Sequence, residues 1–130
     1  MLGTFPLMAL VIIVYNAVVF LTGVDLAEPV FEVALVSGAI WTISVNDIFI
    51  FAGLVLLFVE LVSATRTSAT TIINHALSML VLLVALIEFI VLPQFGHSTF
   101  FLLVLLSLFD VIAGFTVTIT AARRDFTVGE

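Results

Sequence analysis

The chain has 130 residues, of which 64% are hydrophobic and only 9% charged. Soluble domains carry about 25% charged residues, so this composition, with a mean hydropathy of +1.46, excludes a water-dispersed globule and makes a bilayer the natural solvent. A net charge of −6, from nine acids against three arginines, together with the absence of cysteine, excludes a basic nucleic-acid face, disulfides, thiol nucleophiles, cysteine zinc sites and iron–sulfur clusters.

A membrane-crossing helix needs about 20 mostly apolar residues. Four segments meet that need: Phe5–Thr22, Ile48–Thr65, Thr71–Leu92 and Thr99–Ala122. The first holds Pro6 in its first turn, where the missing N–H costs nothing. It has no basic n-region and no A-x-A cleavage site, so it reads as a retained helix rather than a signal peptide.

The connection that follows, "PVFEVALVSGAIWTISVND", is too polar and irregular for a fifth span. Trp41, Ile43 and Val45 alternate with Thr42, Ser44 and Asn46, a period of two. Ser37-Gly38 signals a tight turn between two β-rich runs. This predicts an extracytoplasmic β-hairpin, Phe31–Val36 paired with Ala39–Val45, with an extended interfacial loop as the alternative. Trp41 suits the headgroup zone.

Asp47 is placed to cap the second helix at Ile48. A short turn centred between Thr67 and Ser68 joins helices two and three. Arg66 lies in that turn, among Thr65, Thr67, Ser68, Thr70 and Thr71. These polar residues could contact a phosphate headgroup, and more simply form a solvated turn that caps helix three. "LPQFGHST" separates helices three and four, and Ser98 or Thr99 can cap the fourth. Arg123 and Arg124 then fall at a helix C-terminus, where the dipole favours cations. All three arginines lie on one side of a four-span chain, which the positive-inside rule makes cytoplasmic, with both termini on that side. The expected location is the plasma (inner) membrane of a bacterium.

Charge in the hydrocarbon region costs at least about 2.5–3.5 kcal/mol, so Asn16, Glu60, Glu88 and Asp110 require an explanation. On the fourth helix Ser107, Asp110, Gly114, Thr118 and Ala121 share one face of small and polar residues, the signature of helix–helix contact in lipid. His75, Ser78, Ala85 and Glu88 line the third helix, and Gly53, Glu60 and Ser63 the second. These seams are expected to face the bundle interior.

Counting from the turns places Glu60 level with His75, Asp110 about 9 Å from Glu60 in depth, and Glu88 about 10 Å further on. Asn16 falls level with Glu88. Two readings follow. In the first, the acids are protonated or hydrogen-bonded ties between helices. In the second, Glu88, Asp110, Glu60 and His75 pass a proton or cation inward, with waters, Ser78 or Ser107 bridging the gaps. His75 and His97 sit at opposite ends of helix three, so they cannot share a metal or haem; no cofactor is expected. No H-E-x-x-H, G-x-S-x-G, phosphate-binding or dinucleotide motif occurs.

The size and four-helix plan are similar to those of the small multidrug resistance transporters. Those proteins carry an essential glutamate in the middle of the first helix, where this chain has Asn16, so no site residue follows from the likeness. The tetraspanin plan needs outer-loop cysteines that are absent. The sequence therefore predicts an all-α, four-transmembrane-helix bundle with one outer hairpin. Its expected role is a non-enzymatic subunit or scaffold in contact with lipid and with another membrane protein or a second copy. A small oligomeric proton-coupled transporter or channel is the alternative.

Overall fold

The computed structural model describes residues 5–63 and 69–129; the side chains of residues 63, 69–71, 117–118, 121–122 and 124–129 lie outside that description. Arg66 and the turn around it therefore fall outside the described residues. The chain forms α1 (Leu7–Leu21), β1 (Pro29–Ala34), β2 (Ile40–Ser44), α2 (Val45–Ser63), α3 (Ala69–Val91), a short 3-10 turn (Pro93–Phe95) and α4 (Ser98–Gly129). Three helices contain stretches long and apolar enough to cross a membrane: Val45–Val62, Ile72–Val91 and Ser98–Thr116.

The first helix departs from the expected span. Pro6 is extended (φ −69°, ψ 132°) and caps α1 rather than entering it, leaving 15 helical residues. At 1.5 Å per residue that is about 22 Å, short of the roughly 30 Å hydrocarbon core.

The hairpin is present in a shifted register. Phe31 pairs with Ile43, Glu32 with Thr42, Val33 with Trp41 and Ala34 with Ile40, with an irregularity between Pro29 and Phe31. Leu35 donates its N–H to Ala39 O at 2.8 Å, and Gly38 takes φ +92°, a conformation that favours glycine. The loop thus runs from Leu35 to Ala39, longer than the expected Ser37-Gly38 turn.

β2 runs directly into α2. Ser44 Oγ accepts the Asp47 N–H at 3.3 Å, and Asp47 Oδ2 accepts the Ser44 N–H at 3.0 Å. This reciprocal box starts α2 at Val45. Asp47 is therefore the third helical residue and Ser44 the cap, which corrects the expected start at Ile48.

At the other loop, His97 caps α4 in place of Ser98 or Thr99: its Nδ1 accepts the Phe100 N–H at 3.3 Å. α4 then continues through the expected end at Ala122 to Gly129. No proline or glycine interrupts residues 115–128, so Arg123 and Arg124 lie within the helix and not in its last turn.

The core is organised around α4, which packs on both α2 and α3, while α1 contacts all three. Met8, Val11, Ile12 and Tyr15 of α1 meet Leu57 of α2, Ala85 of α3, and Phe100, Leu103 and Leu106 of α4. Gly53 allows close approach: a Cβ there would lie 3.0 Å from Leu106 Cδ1 and 3.4 Å from Leu103 Cδ2. Leu, Val, Ile and Phe cover the outward faces, including Ile13, Phe58, Ile87 and Ile112. α2 and α3, although consecutive, make few contacts with each other.

Removing the box at the start of α2 by Ser44→Ala should lower stability by about 1 kcal/mol, read as a lower unfolding midpoint in detergent micelles, whereas Ser44→Asn should keep most of it.

Candidate functional site

Four of the buried polar side chains come from three helices at one end of the bundle: Glu60 from α2, His75 and Ser78 from α3, and Asp110 from α4. Glu60 is 5% exposed and Asp110 1%. They sit there because Gly, Ser and Ala positions let the helices close on one another, and because a buried charge elsewhere would face lipid.

Glu60 also meets α1. The Leu7 N–H, one of the donors left over at a helix start, is donated to Glu60 Oε2. A carboxyl is favoured at this position because the helix dipole concentrates positive charge there. The first helix therefore begins on a carboxyl supplied by the second.

Asp110 is buried on α4 at the same end of the bundle. Among the described residues, Glu60 Oε1 and both Asp110 oxygens have no donor. The depth expectation takes helices consecutive in the chain as neighbours, whereas α2 and α3 make few contacts with each other and α4 packs on both.

His75 belongs to the same group, but through α4. Its ring is buried against Gly114, where an added Cβ would lie 2.6 Å from Cε1 and 2.9 Å from Nδ1. It also lies 5.1 Å from the Phe115 ring, and it faces the Asp110 charge. α4 packs on both α2 and α3, so Glu60 and His75 come to this end from helices that each lie against α4. Ser78 does not bridge acids, since its hydroxyl donates to Asn74 O on its own helix at 3.0 Å. Ser107, one turn before Asp110, is 2% exposed.

The opposite end carries a second polar set. Asn16 Nδ2 donates to Glu88 Oε1 at 3.1 Å and to Ile12 O at 2.9 Å, joining α1 to α3. Beside it is a residue with no expected role, Tyr15, which is fully buried. Its hydroxyl lies 2.9 Å from His97 Nε2 and 3.4 Å from Asn46 Oδ1. Because His97 Nδ1 accepts the Phe100 N–H, the ring proton sits on Nε2 and is donated to Tyr15, whose own proton goes to Asn46. The Tyr15 ring packs edge-on against Phe49 at 4.9 Å and against Phe100 at 5.3 Å. The signal in the sequence was a lone tyrosine in an apolar helix, since a buried tyrosine needs a partner for its hydroxyl.

Trp41 is 46% exposed, with its ring 6.2 Å from that of Phe51 on α2. Arg123 is exposed, and the Arg124 side chain lies outside the described residues. Among the described residues no group of three or more His, Asp or Glu is placed to hold a metal ion. No protein-family model, curated protein or solved structure matches the chain.

Tyr15→Phe should cost about 1 kcal/mol by removing a buried hydroxyl from a satisfied chain, read in thermal unfolding. Gly114→Ala should displace the His75 ring, read as a shift of its NMR signals and a lower unfolding midpoint, while Gly23→Ala, with no atom within 4 Å of the added carbon, should leave the His75 signals in place.

Proposed function

We propose that this protein is a non-enzymatic integral membrane subunit or scaffold that binds another membrane protein or a second copy of itself. The observation that carries the reading is the hairpin. Every residue of β1 is exposed, as are Ile40, Trp41 and Thr42 of β2. The register puts Phe31, Val33, Trp41 and Ile43 on one face and Glu32, Ala34, Ile40, Thr42 and Ser44 on the other. A two-stranded ribbon is marginal on its own in water, and both outer edges offer unpaired backbone groups among the described residues. Such a ribbon is suited to lie with its apolar face in the headgroup zone and to add a partner's strand along an edge.

All four helices cross the bilayer in this reading. α1 reaches from the level of Glu60 to the level of Glu88, and flanking residues complete its passage. The arginines mark the cytoplasmic side, placing both termini there and the hairpin outside. Arg123 lies seven residues beyond the apolar stretch that ends at Thr116, about 10 Å further along α4, within reach of anionic headgroups.

A photoreactive residue at Ile40 should form a protein adduct of one defined mass in native membranes, while one at Ile13 should label lipid only. A monomer in mild detergent, with no protein adduct at Ile40 in the membrane, rules out the subunit reading.

A second reading, a small oligomeric proton-coupled transporter, is favoured by the donorless oxygens of Glu60 and Asp110. It requires proton flux in proteoliposomes that is lost in Glu60→Gln and in Asp110→Asn, since neither amide can carry a titrating proton. Flux that is absent, or equal in wild type and both variants, removes it.

A further inference from the structure

The register of the hairpin determines which backbone groups it leaves open. Leu35 donates its N–H to Ala39 O, so these two residues form a hydrogen-bonded pair at the loop end. Hydrogen-bonded and non-hydrogen-bonded pairs alternate along an antiparallel ladder. Ala34 lies opposite Ile40, Val33 opposite Trp41 and Glu32 opposite Thr42. The Val33–Trp41 pair therefore bonds inward. The N–H and C=O groups of Glu32 and Ala34 on β1, and of Ile40 and Thr42 on β2, point outward. β2 leans on α2, where the Trp41 ring meets Phe51. β1 is the freer edge. All of its residues are exposed, and among the described residues no backbone bond reaches Glu32 or Ala34 from outside the ladder.

This edge has one sign of charge. Between Gly23 and Asp47 the chain carries Asp25, Glu28, Glu32 and Asp47, and neither lysine nor arginine. Asp47 is turned to the Ser44 N–H, and Asp25 to the Ala27 N–H, each at 3.0 Å. Glu28 and Glu32 are exposed and have no side-chain partner among the described residues.

Charge then decides which strand the edge accepts. A second copy added antiparallel through its own β1 must bring residues of one face together. Centring that pair on Glu32 sets two carboxylates directly opposite, where like charges are destabilising. Centring it on Phe31 or Val33 sets them on the diagonal, about 7–8 Å apart. The arginines of the chain, Arg66, Arg123 and Arg124, all lie outside the hairpin, so a second hairpin brings no cation to either arrangement. Pairing β1 with the β2 edge of a copy is heterologous and leaves new edges open, so it extends without closing.

We propose that the β1 edge receives an extended segment of a different protein, with lysine or arginine on the Glu32 face and apolar residues on the Phe31–Val33 face. The outward backbone groups of Glu32 and Ala34 hold its main chain, and the alternating side chains give the selectivity. Glu32 pairs with the incoming cation across the strands. Glu28, just before β1, extends the negative field at the entry to the edge. This rests on the subunit reading above and narrows its two partners to one.

The test places the full chain in nanodiscs of phosphatidylcholine, a zwitterionic lipid that offers a cationic peptide no anionic surface. The probe is a short synthetic peptide alternating lysine with valine, and its control carries glutamate in place of lysine. The lysine peptide should slow amide hydrogen exchange at Glu32 and Ala34, and leave Val33, already bonded to β2, unchanged. Glu32→Lys should weaken that peptide about tenfold, the swing from an attractive to a repulsive cross-strand pair, and should admit the glutamate peptide instead. Glu32→Gln should remove the preference between the two. Position 32 is exposed, and unchanged protection of Val33 verifies that each variant keeps the hairpin. Exchange at Glu32 and Ala34 that ignores the lysine peptide, or responds equally to both peptides, overturns the proposal. A disulfide between two copies carrying Glu32→Cys, formed in the native membrane, also overturns it, and leaves the subunit reading standing with a second copy as the partner. The subunit reading itself falls on a monomer that gives no Ile40 adduct, so the two failures are told apart.

Discussion

The start of α1 rests on a side chain from another helix. Pro6 ends the run of helical dihedrals, and the first free donor, the Leu7 N–H, is met by Glu60 rather than by water. In lipid an unsatisfied backbone group costs several kcal/mol, so that bond helps to fix where α1 begins. Glu60 in turn is placed by α2, at the end of the bundle where Asp110 of α4 is also buried. α1 and α2 are tied at this point, and α3 packs on α4 there through His75 against Gly114.

The far end uses a different solution to the same constraint. There the polar groups are satisfied in a closed chain: Phe100 N–H to His97, His97 to Tyr15, and Tyr15 to Asn46, with Asn16 held by Glu88. These bonds link the loop before α4 and the start of α2 to α1. Among the described residues, the polar side chains named at this end are hydrogen-bonded, and the other end retains buried oxygens without a donor. Hydropathy scores both ends alike.

Much of the architecture was legible. The apolar runs and their breakers located the helices, period-two alternation located the hairpin, and small-and-polar seams marked the faces that turn inward. The errors were local and have local causes. The Ser-x-x-Asp box at Ser44 and Asp47 was present in the sequence and was read one residue type too narrowly, as a cap at Asp47 alone. Helix four was stopped at its arginines, although nothing after them breaks a helix. Tyr15 was passed over because its ring suits an apolar helix, and only its hydroxyl demanded partners.

The sequence by itself determined that the chain holds helices apolar enough to cross a bilayer, that they carry narrow polar seams, and that a two-stranded ribbon separates the first two. Composition and periodicity are enough for these, because each depends on residues near one another along the chain. Only the tertiary structure decided which polar residues meet. Depth counted from the turns sets Glu60 level with His75, and the packing puts α4 against both α2 and α3, with Asp110 buried at the same end. Helix order around a bundle, tilt, and the point at which α1 begins are set by packing among distant residues such as Gly53 with Leu106 and Gly114 with His75, and spacing along one chain does not encode them.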